Sequence, residues 1–161
     1  MFRMAKLTDY GIVLLTQFAS RQDATPMTAR ELAASARLPL PTVGKLLKQL
    51  SHTGLLTSLR GIKGGYTLAR PAGVITVTDI IEALEGPLGL TECQAPGVCG
   101  QEHFCSVKPN WLVINRTVRD ALSRVTLADM AQPPRPFFNV ASLAGLPALS
   151  AGEPQTRSPL R

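Results

Sequence analysis

Three cysteines, Cys93, Cys99 and Cys105, are the residues most suited to chemistry in this sequence. Five residues separate each from the next, and residues 88–108, called the cysteine segment below, show no helical or strand periodicity. A structural zinc site usually contains two close C-x-x-C pairs, which are absent, and a disulfide framework favours an even cysteine count in a secreted chain. Three thiolates on one loop can instead hold an iron–sulfur cluster with a fourth ligand from elsewhere. Inert or redox-reactive thiols are the alternative.

Residues 28–70 contain the elements that such a segment could control. Thr28, with Glu31 three residues later, has the spacing of a capping box at the start of a helix. A break follows, and Pro39 or Pro41 can occupy the first turn of a second helix that runs to about Leu50 or Ser51. One face of this second helix is apolar, with Val43, Leu46, Leu47 and Leu50, and the other is polar, with Thr42, Lys45, Lys48 and Gln49. The pattern predicts a helix-turn-helix that ends near Gly54.

A wing follows the second helix in the sequence. Residues 55–59 and 66–69 have strand-type composition, and the glycine-rich residues 60–65 between them suit a tight connection. A basic hairpin tip after a basic helix lets one module contact two adjacent grooves of DNA. An ordinary α+β core with solvated charges is the alternative. We therefore expect a mainly α fold with a small β wing, a winged helix-turn-helix, and double-stranded DNA as a partner.

The net charge of +6 is unevenly distributed along the chain. Residues 1–70 hold ten Lys/Arg against three Asp/Glu (+7), residues 71–130 hold four against seven (−3), and the remainder holds three against one (+2). The positive charge thus coincides with the winged part, as a phosphate-binding surface requires. No apolar run approaches 18 residues, so we expect no membrane partner and a cytoplasmic, nucleoid-associated bacterial protein.

An enzyme is not expected. The two histidines, His52 and His103, have no partner at a catalytic spacing, and no glycine loop of the phosphate-binding type precedes a helix. We therefore expect no small-molecule substrate.

The other periodic stretches predict three further helices. They cover about 8–19, 79–85 (capped by Thr76 or Thr78) and 110–130. The last carries apolar residues three and four apart, including Trp111, Ile114 and Val118, which suits packing along a second helix, although Trp111 itself is expected to be a core anchor. The expected organisation is a DNA-binding domain (1–75), a connecting helix and cysteine segment (76–108), a long dimerisation helix (109–131) and a disordered Pro-rich tail (132–161).

The sequence resembles the IscR-like family of winged-helix iron–sulfur regulators, and more narrowly its Suf-system regulators of cluster assembly. The resemblance covers roughly residues 4–130 and rests on Leu7-Thr8-Asp9-Tyr10, on the run Leu59-Arg60-Gly61-Ile62-Lys63-Gly64-Gly65-Tyr66, and on the three cysteines before a long helix. It implies a homodimeric transcription factor whose cluster state changes its DNA affinity. We expect this factor to be a repressor. The resemblance also implies that Arg60 enters the minor groove and that Leu40, Thr42, Val43 and Lys45 face the major groove. Lys48 and Lys63 are expected to neutralise phosphates.

The sequence departs from the family pattern at the fourth cluster ligand. Relatives with a 2Fe–2S cluster have a histidine three residues after the last cysteine, where this chain has Lys108. Nitric-oxide-sensing relatives use an N-terminal aspartate from the partner subunit, and Asp9 matches that position. His103 and Glu102, within the cysteine segment, are further candidates. An exogenous ligand, or no stable cluster, is the remaining alternative. The expected cofactor is therefore a 2Fe–2S or 4Fe–4S cluster, and the alternative function is a thiol-redox or nitric-oxide-responsive repressor of the same fold.

Overall fold

The computed structural model describes residues 4–21, 25–61, 64–92, 97–100 and 104–133 of the 161-residue chain. The predicted site residues Lys63, Cys93, Glu102 and His103, and residues 134–161 of the predicted tail, lie outside this part. The elements, in order, are α1 (Lys6–Ala19), α2 (Ala29–Ala36), α3 (Leu40–His52), β1 (Leu56–Leu59), β2 (Gly65–Leu68), a short 3₁₀ helix (Ala72–Val74), α4 (Val77–Glu85), α5 (Lys108–Ser123) and α6 (Leu127–Met130).

Helices α2 and α3 form the predicted helix-turn-helix. The Thr28 hydroxyl accepts from the Glu31 backbone N–H, and the Glu31 carboxylate accepts from the Thr28 N–H at 2.7 Å, so the capping box is confirmed. These bonds from Thr28 lower the pKa of Glu31, because they stabilise its ionised form. Arg37 ends α2 in the left-handed conformation (φ 54°), and Pro41 lies in the first turn of α3.

The wing is a two-stranded antiparallel sheet, in which Leu56 pairs with Leu68 and Leu59 with Gly65. A backbone bridge between Met27 and Tyr66 joins β2 to the chain just before α2. The wing is therefore attached to the helix-turn-helix at both ends of the motif. The predicted fold class, mainly helical with a small β wing, is confirmed.

One buried cluster holds α1, α2, α3, the wing and α6 together. Its fully buried members are mostly leucine and isoleucine: Leu14, Leu15, Leu32, Leu46, Leu47, Leu50, Leu55, Ile75, Ile80 and Leu127. A smaller second cluster joins α4 to α5 through Val77, Ile81 and Leu88, with Val118 and Leu122 packed against it. Helix α4 contributes to both clusters, so it connects the DNA-binding module to α5.

The long helix predicted over 110–130 is two helices, which corrects the sequence-based expectation. Helix α5 ends at Ser123, and Thr126 and Asp129 form a new capping box at the start of α6. The Val77 N–H donates to the Val125 carbonyl (2.9 Å), and the Leu127 N–H donates to the Ile75 carbonyl (2.8 Å). These non-local bonds interrupt the helix and return α6 to the main core.

None of the helices in the described ranges is both long and apolar enough to cross a membrane.

Candidate DNA-binding surface and cysteine segment

The outward face of α3 is basic. Lys45 and Lys48 are exposed, Thr42 is half-buried, and the sequence of α3 contains no acidic residue. The opposite face is fixed in the core by Leu46, Leu47 and Leu50, since the apolar spacing of three and four residues matches one side of a helix. The core thus sets which side chains of α3 can reach a partner.

Two apolar residues predicted to face the major groove behave differently. Leu40, at the start of α3, is 43% exposed and remains available for contact. Val43 is 0% exposed and belongs to the main core, so the expectation that its side chain faces the groove is wrong. The apolar spacing of three and four residues in α3 places Val43 on the buried side of the helix, away from the face that DNA could contact.

The wing presents Arg60 directly after β1, with an exposed side chain. Gly61 has a φ of +114°, which favours glycine. A Cβ on Gly64 would lie 2.6 Å from the Leu59 carbonyl oxygen, so the turn leaves no room for a larger residue there. Gly61 and Gly64 therefore allow the close backbone approach seen beside Arg60.

Positive charge dominates the surface of the described DNA-binding module. Eight basic residues are exposed there: Lys6, Arg21, Arg30, Arg37, Lys45, Lys48, Arg60 and Arg70. Its described acidic residues are Asp9 and Glu31. The surface thus has the charge that a DNA backbone attracts.

The cysteine segment lies between α4 and α5 in the chain. Cys99 and Cys105 are free thiols and half-buried, whereas Cys93 is outside the described ranges. Within those ranges, no three histidine, cysteine or acidic side chains come together as a metal site would require. Asp9 is exposed in the first turn of α1. A cluster site is therefore not assembled from the described residues of one chain.

The start of the cysteine segment is fastened to α4 and α5. The Leu88 N–H donates to Glu82 Oε1 (3.3 Å), and the Leu90 N–H donates to Asn115 Oδ1 (2.9 Å). Asn115 is buried, yet its Nδ2 has no hydrogen-bond partner, and neither has the buried Oγ1 of Thr91. Buried polar groups are normally satisfied, so this corner of the structure has donors to offer to a further group.

Two residues with important contacts were missed by sequence reasoning. Gln49, expected on the polar face of α3, is half-buried and bonds to the end of α4. Asn115 was not singled out, although an amide four residues after Trp111 and three before Val118, within the apolar stripe of α5, is a signal that could have identified it. Both bonds join residues more than 20 positions apart, and local periodicity carries no information about them.

An apolar stripe on the first half of α5 is exposed in the single chain. Trp111 is 36% and Ile114 is 42% exposed, so the expectation that Trp111 anchors the core is wrong. Val107, one turn earlier, is also exposed, while Val118 and Leu122 farther along the helix pack against α4. The stripe is thus continuous, and only its second half is covered by the chain itself.

The family model described as "Iron-dependent Transcriptional regulator", Rrf2, matches residues 4–133. The chain belongs to the Rrf2 family. As an Rrf2 protein it is a DNA-binding transcriptional regulator and not an enzyme, as the sequence led us to expect.

Solved structures similar to this Rrf2 chain include two regulators named CymR and one named IscR. CymR of B. subtilis, the global cysteine regulator of that organism, is 27% identical, with 81% of this chain and 97% of that chain covered and a TM-score of 0.64. The oxidized form of Staphylococcus aureus CymR is 28% identical (83% and 99% covered, TM-score 0.61). IscR of T. potens is also 28% identical (83% and 93% covered, TM-score 0.62).

Proposed function

We propose that this Rrf2 protein is a homodimeric, sequence-specific transcriptional repressor whose DNA affinity depends on an iron–sulfur cluster bound by its cysteine segment. The observation that carries the proposal is the position of that segment between α4, which contacts the recognition helix α3, and α5, which bears an exposed apolar stripe. A change in the cysteine segment can therefore alter the position of the recognition helix α3 and the proposed dimer contact of α5. We also propose that it acts in the bacterial cytoplasm, associated with the nucleoid.

DNA contacts are assigned by exposure and charge. Lys45 and Lys48 of α3 neutralise phosphates or approach the major groove, with Thr42 and Leu40 reaching bases or thymine methyl groups. Arg60 enters the minor groove from the wing, and Lys63, outside the described ranges, adds charge at the same tip. Phosphate contacts of this kind fix the position of the protein on the duplex, while the few base contacts give its sequence preference.

Cys93, Cys99 and Cys105 are the proposed cluster ligands. Thiolates suit a 2Fe–2S or 4Fe–4S cluster, and the unpartnered Nδ2 of Asn115 beside the start of the segment fits a neighbour that accepts hydrogen bonds, as cluster sulfurs do. Cys93, Cys99 and Cys105 would hold the cluster through iron–thiolate bonds, which would join three points of the cysteine segment. Asp9 of the partner subunit is the proposed fourth ligand, with His103 and Glu102 as alternatives.

The second copy in the proposed dimer covers the exposed stripe of α5. Val107, Trp111 and Ile114 lie three and four residues apart, the spacing with which two helices pack along each other. Ile114→Glu should convert the dimer to a monomer in light scattering. Val113→Glu, at an exposed position on another face of α5, is the matched control and should leave the dimer intact. A dimeric Ile114→Glu protein would exclude this interface.

The regulated genes are proposed to be those of iron–sulfur cluster assembly, of the Suf type, because the wing run from Leu59 to Tyr66 and the cysteine spacing resemble Suf-system regulators. Genome-wide mapping of bound fragments tests this assignment. Fragments upstream of cluster-assembly genes should be enriched, and their absence from the bound set would remove it.

A thiol-redox or nitric-oxide-responsive repressor of the same fold is the second candidate. It is favoured by the similarity to CymR of B. subtilis, a global cysteine regulator, and to CymR of Staphylococcus aureus, whose structure is that of an oxidized form. Purification without oxygen distinguishes the two candidate functions. The first proposal expects iron, acid-labile sulfide and visible absorption in the protein. Colourless protein that still changes DNA affinity with thiol oxidation would establish the second and exclude the first.

A further inference from the structure

The side chain of Gln49 connects the recognition helix to the end of α4. Its Nε2 donates to the backbone carbonyl oxygens of Ala83 (3.1 Å) and Leu84 (3.0 Å). The last four carbonyls of a helix have no partner within the helix, so one amide group here satisfies two of those in α4. Both N–H bonds of the amide are used in this contact.

These two bonds supply the directional part of the contact between α3 and α4. The remaining contact is apolar, since Leu46 and Leu50 of α3 and Ile80 of α4 share the main core. Apolar burial is non-directional and tolerates small sliding of one helix over another. A hydrogen-bonded amide loses its partner when the helices slide by an ångström or so, because bond geometry is narrow. Gln49 therefore fixes where α3 lies relative to the last turn of α4.

The last turn of α4 leads directly into the cysteine segment. Eight residues, 85–92, separate Leu84 from Cys93. Within them, the Leu88 N–H bonds back to Glu82 of α4, and buried Leu88 packs against Ile81. Displacement of the segment would therefore pull on the same turn whose carbonyls Gln49 holds.

The same turn of α4 is also held by α1. Glu85 accepts hydrogen bonds from the Ala5 N–H and the Thr8 hydroxyl. Leu84 lies so close to Gly11 that a Cβ there would overlap its side chain. Helix α1 thus restrains the end of α4 on one side. On the other side, Gln49 links the position of this end of α4 to the position of α3.

We propose that Gln49 is a positioning residue that transmits the state of the cysteine segment to the recognition helix through the carbonyls of Ala83 and Leu84. This inference rests on the proposed function, in which that state changes DNA affinity. In one state the last turn of α4 keeps its place and Gln49 holds α3 for binding. In the other state the turn shifts, and α3 shifts with it because the two bonds move together.

The test is the coupling ratio, defined as the DNA affinity of anaerobically isolated protein divided by that of the same protein after exposure to air. The DNA is one duplex, selected by the protein from a random-sequence library, at constant salt. The parent should give a ratio that differs from one by a factor of about 5 to 150. Gln49→Met keeps the length of the side chain and removes both donors, so its coupling ratio should be much closer to one than the parental ratio. Gln17→Met, the same exchange at a half-buried position of α1, should keep the parental ratio.

A donor-bearing variant separates positioning from folding. Gln49→Lys retains N–H donors and adds a charge, which raises affinity in both states but should leave the ratio near the parental value. A Gln49→Met protein that loses affinity equally in both states would show a merely structural role and overturn the inference. A parent without any difference between states would overturn the proposed function and this inference with it. A responsive parent with an equally responsive Gln49→Met overturns the inference alone.

Discussion

The buried hydroxyl of Thr8 donates a hydrogen bond to the carboxylate of Glu85, which joins the first turn of α1 to the last residue of α4. The Ala5 N–H donates to the same carboxylate at 3.0 Å, so Glu85 acts as an acceptor for the start of α1 from a distant helix. Asp9, the proposed cluster ligand for the partner subunit, follows Thr8 directly. The contact with α4 therefore holds the backbone turn from which Asp9 projects.

Replacing Thr8 with valine tests the strength of this contact. Valine keeps the shape of threonine but cannot donate to Glu85, and a hydrogen bond to a charged group contributes about 1.5–3 kcal/mol. We expect the free energy of unfolding in urea to fall by about that amount. Thr16→Val removes only a local bond to the Val13 carbonyl and should have a smaller effect. Equal losses in the two variants would show that the bond to Glu85 contributes no more to stability than a local bond within α1.

The salt dependence of DNA binding tests the assignment of α3. If Lys48 contacts one phosphate, Lys48→Ala should weaken binding and reduce the slope of log affinity against log salt by about one. Arg116→Ala, which removes an exposed charge from α5, is the matched control and should leave the slope unchanged. An unchanged slope in Lys48→Ala would place the phosphate contacts elsewhere.

Gly44 lies inside α3, where glycine is unfavourable, although a Cβ there would meet no other atom of the described chain within 4 Å. Since packing within the chain gives no reason for glycine, we expect Gly44→Ala to raise the free energy of unfolding by about 0.5–1 kcal/mol. The residue adjoins Lys45 on the proposed DNA face, so we expect the same variant to bind DNA more weakly. Denaturation and DNA titration of one preparation measure both effects. Tighter DNA binding by Gly44→Ala would contradict the proposal that DNA lies against this face of α3.

The return of α6 to the main core predicts a large effect at Leu127. This side chain is fully buried beside residues of the DNA-binding module, and Leu→Ala changes in such sites cost about 2–5 kcal/mol. Leu127→Ala should therefore destabilise the module, as measured by urea unfolding. Leu112→Ala, at an exposed position on α5, should change stability little. A small loss in Leu127→Ala would mean that α6 contributes little to the core.

The sequence predicted the elements whose signals are local. The Thr28 capping box, the apolar face of α3 and the glycine-rich turn of the wing all follow from residues within one helix or hairpin. The interruption between α5 and α6 was missed because it depends on backbone pairing with residues near Ile75, about 50 positions earlier. The Thr126 and Asp129 spacing was the local signal for it, as a capping box at the start of a new helix.

The candidate site was predicted less completely for a related reason. Periodicity separates the buried side of α3 from its exposed side, but it does not show which flank a neighbouring helix covers. Gln49 was therefore assigned to the polar face, although α4 covers it. Val43 was placed in both the core and the groove, and burial resolves that conflict in favour of the core.

The state of the cysteines is proposed to control DNA affinity, and one titration decides whether it does. Affinity for the selected duplex is measured at one salt concentration for the parent and for Cys99→Ala, each isolated without oxygen and then exposed to air. We expect a difference of about 5 to 150-fold between the two states of the parent and none for Cys99→Ala. Equal affinities for the two states of a parent that binds DNA well would contradict it.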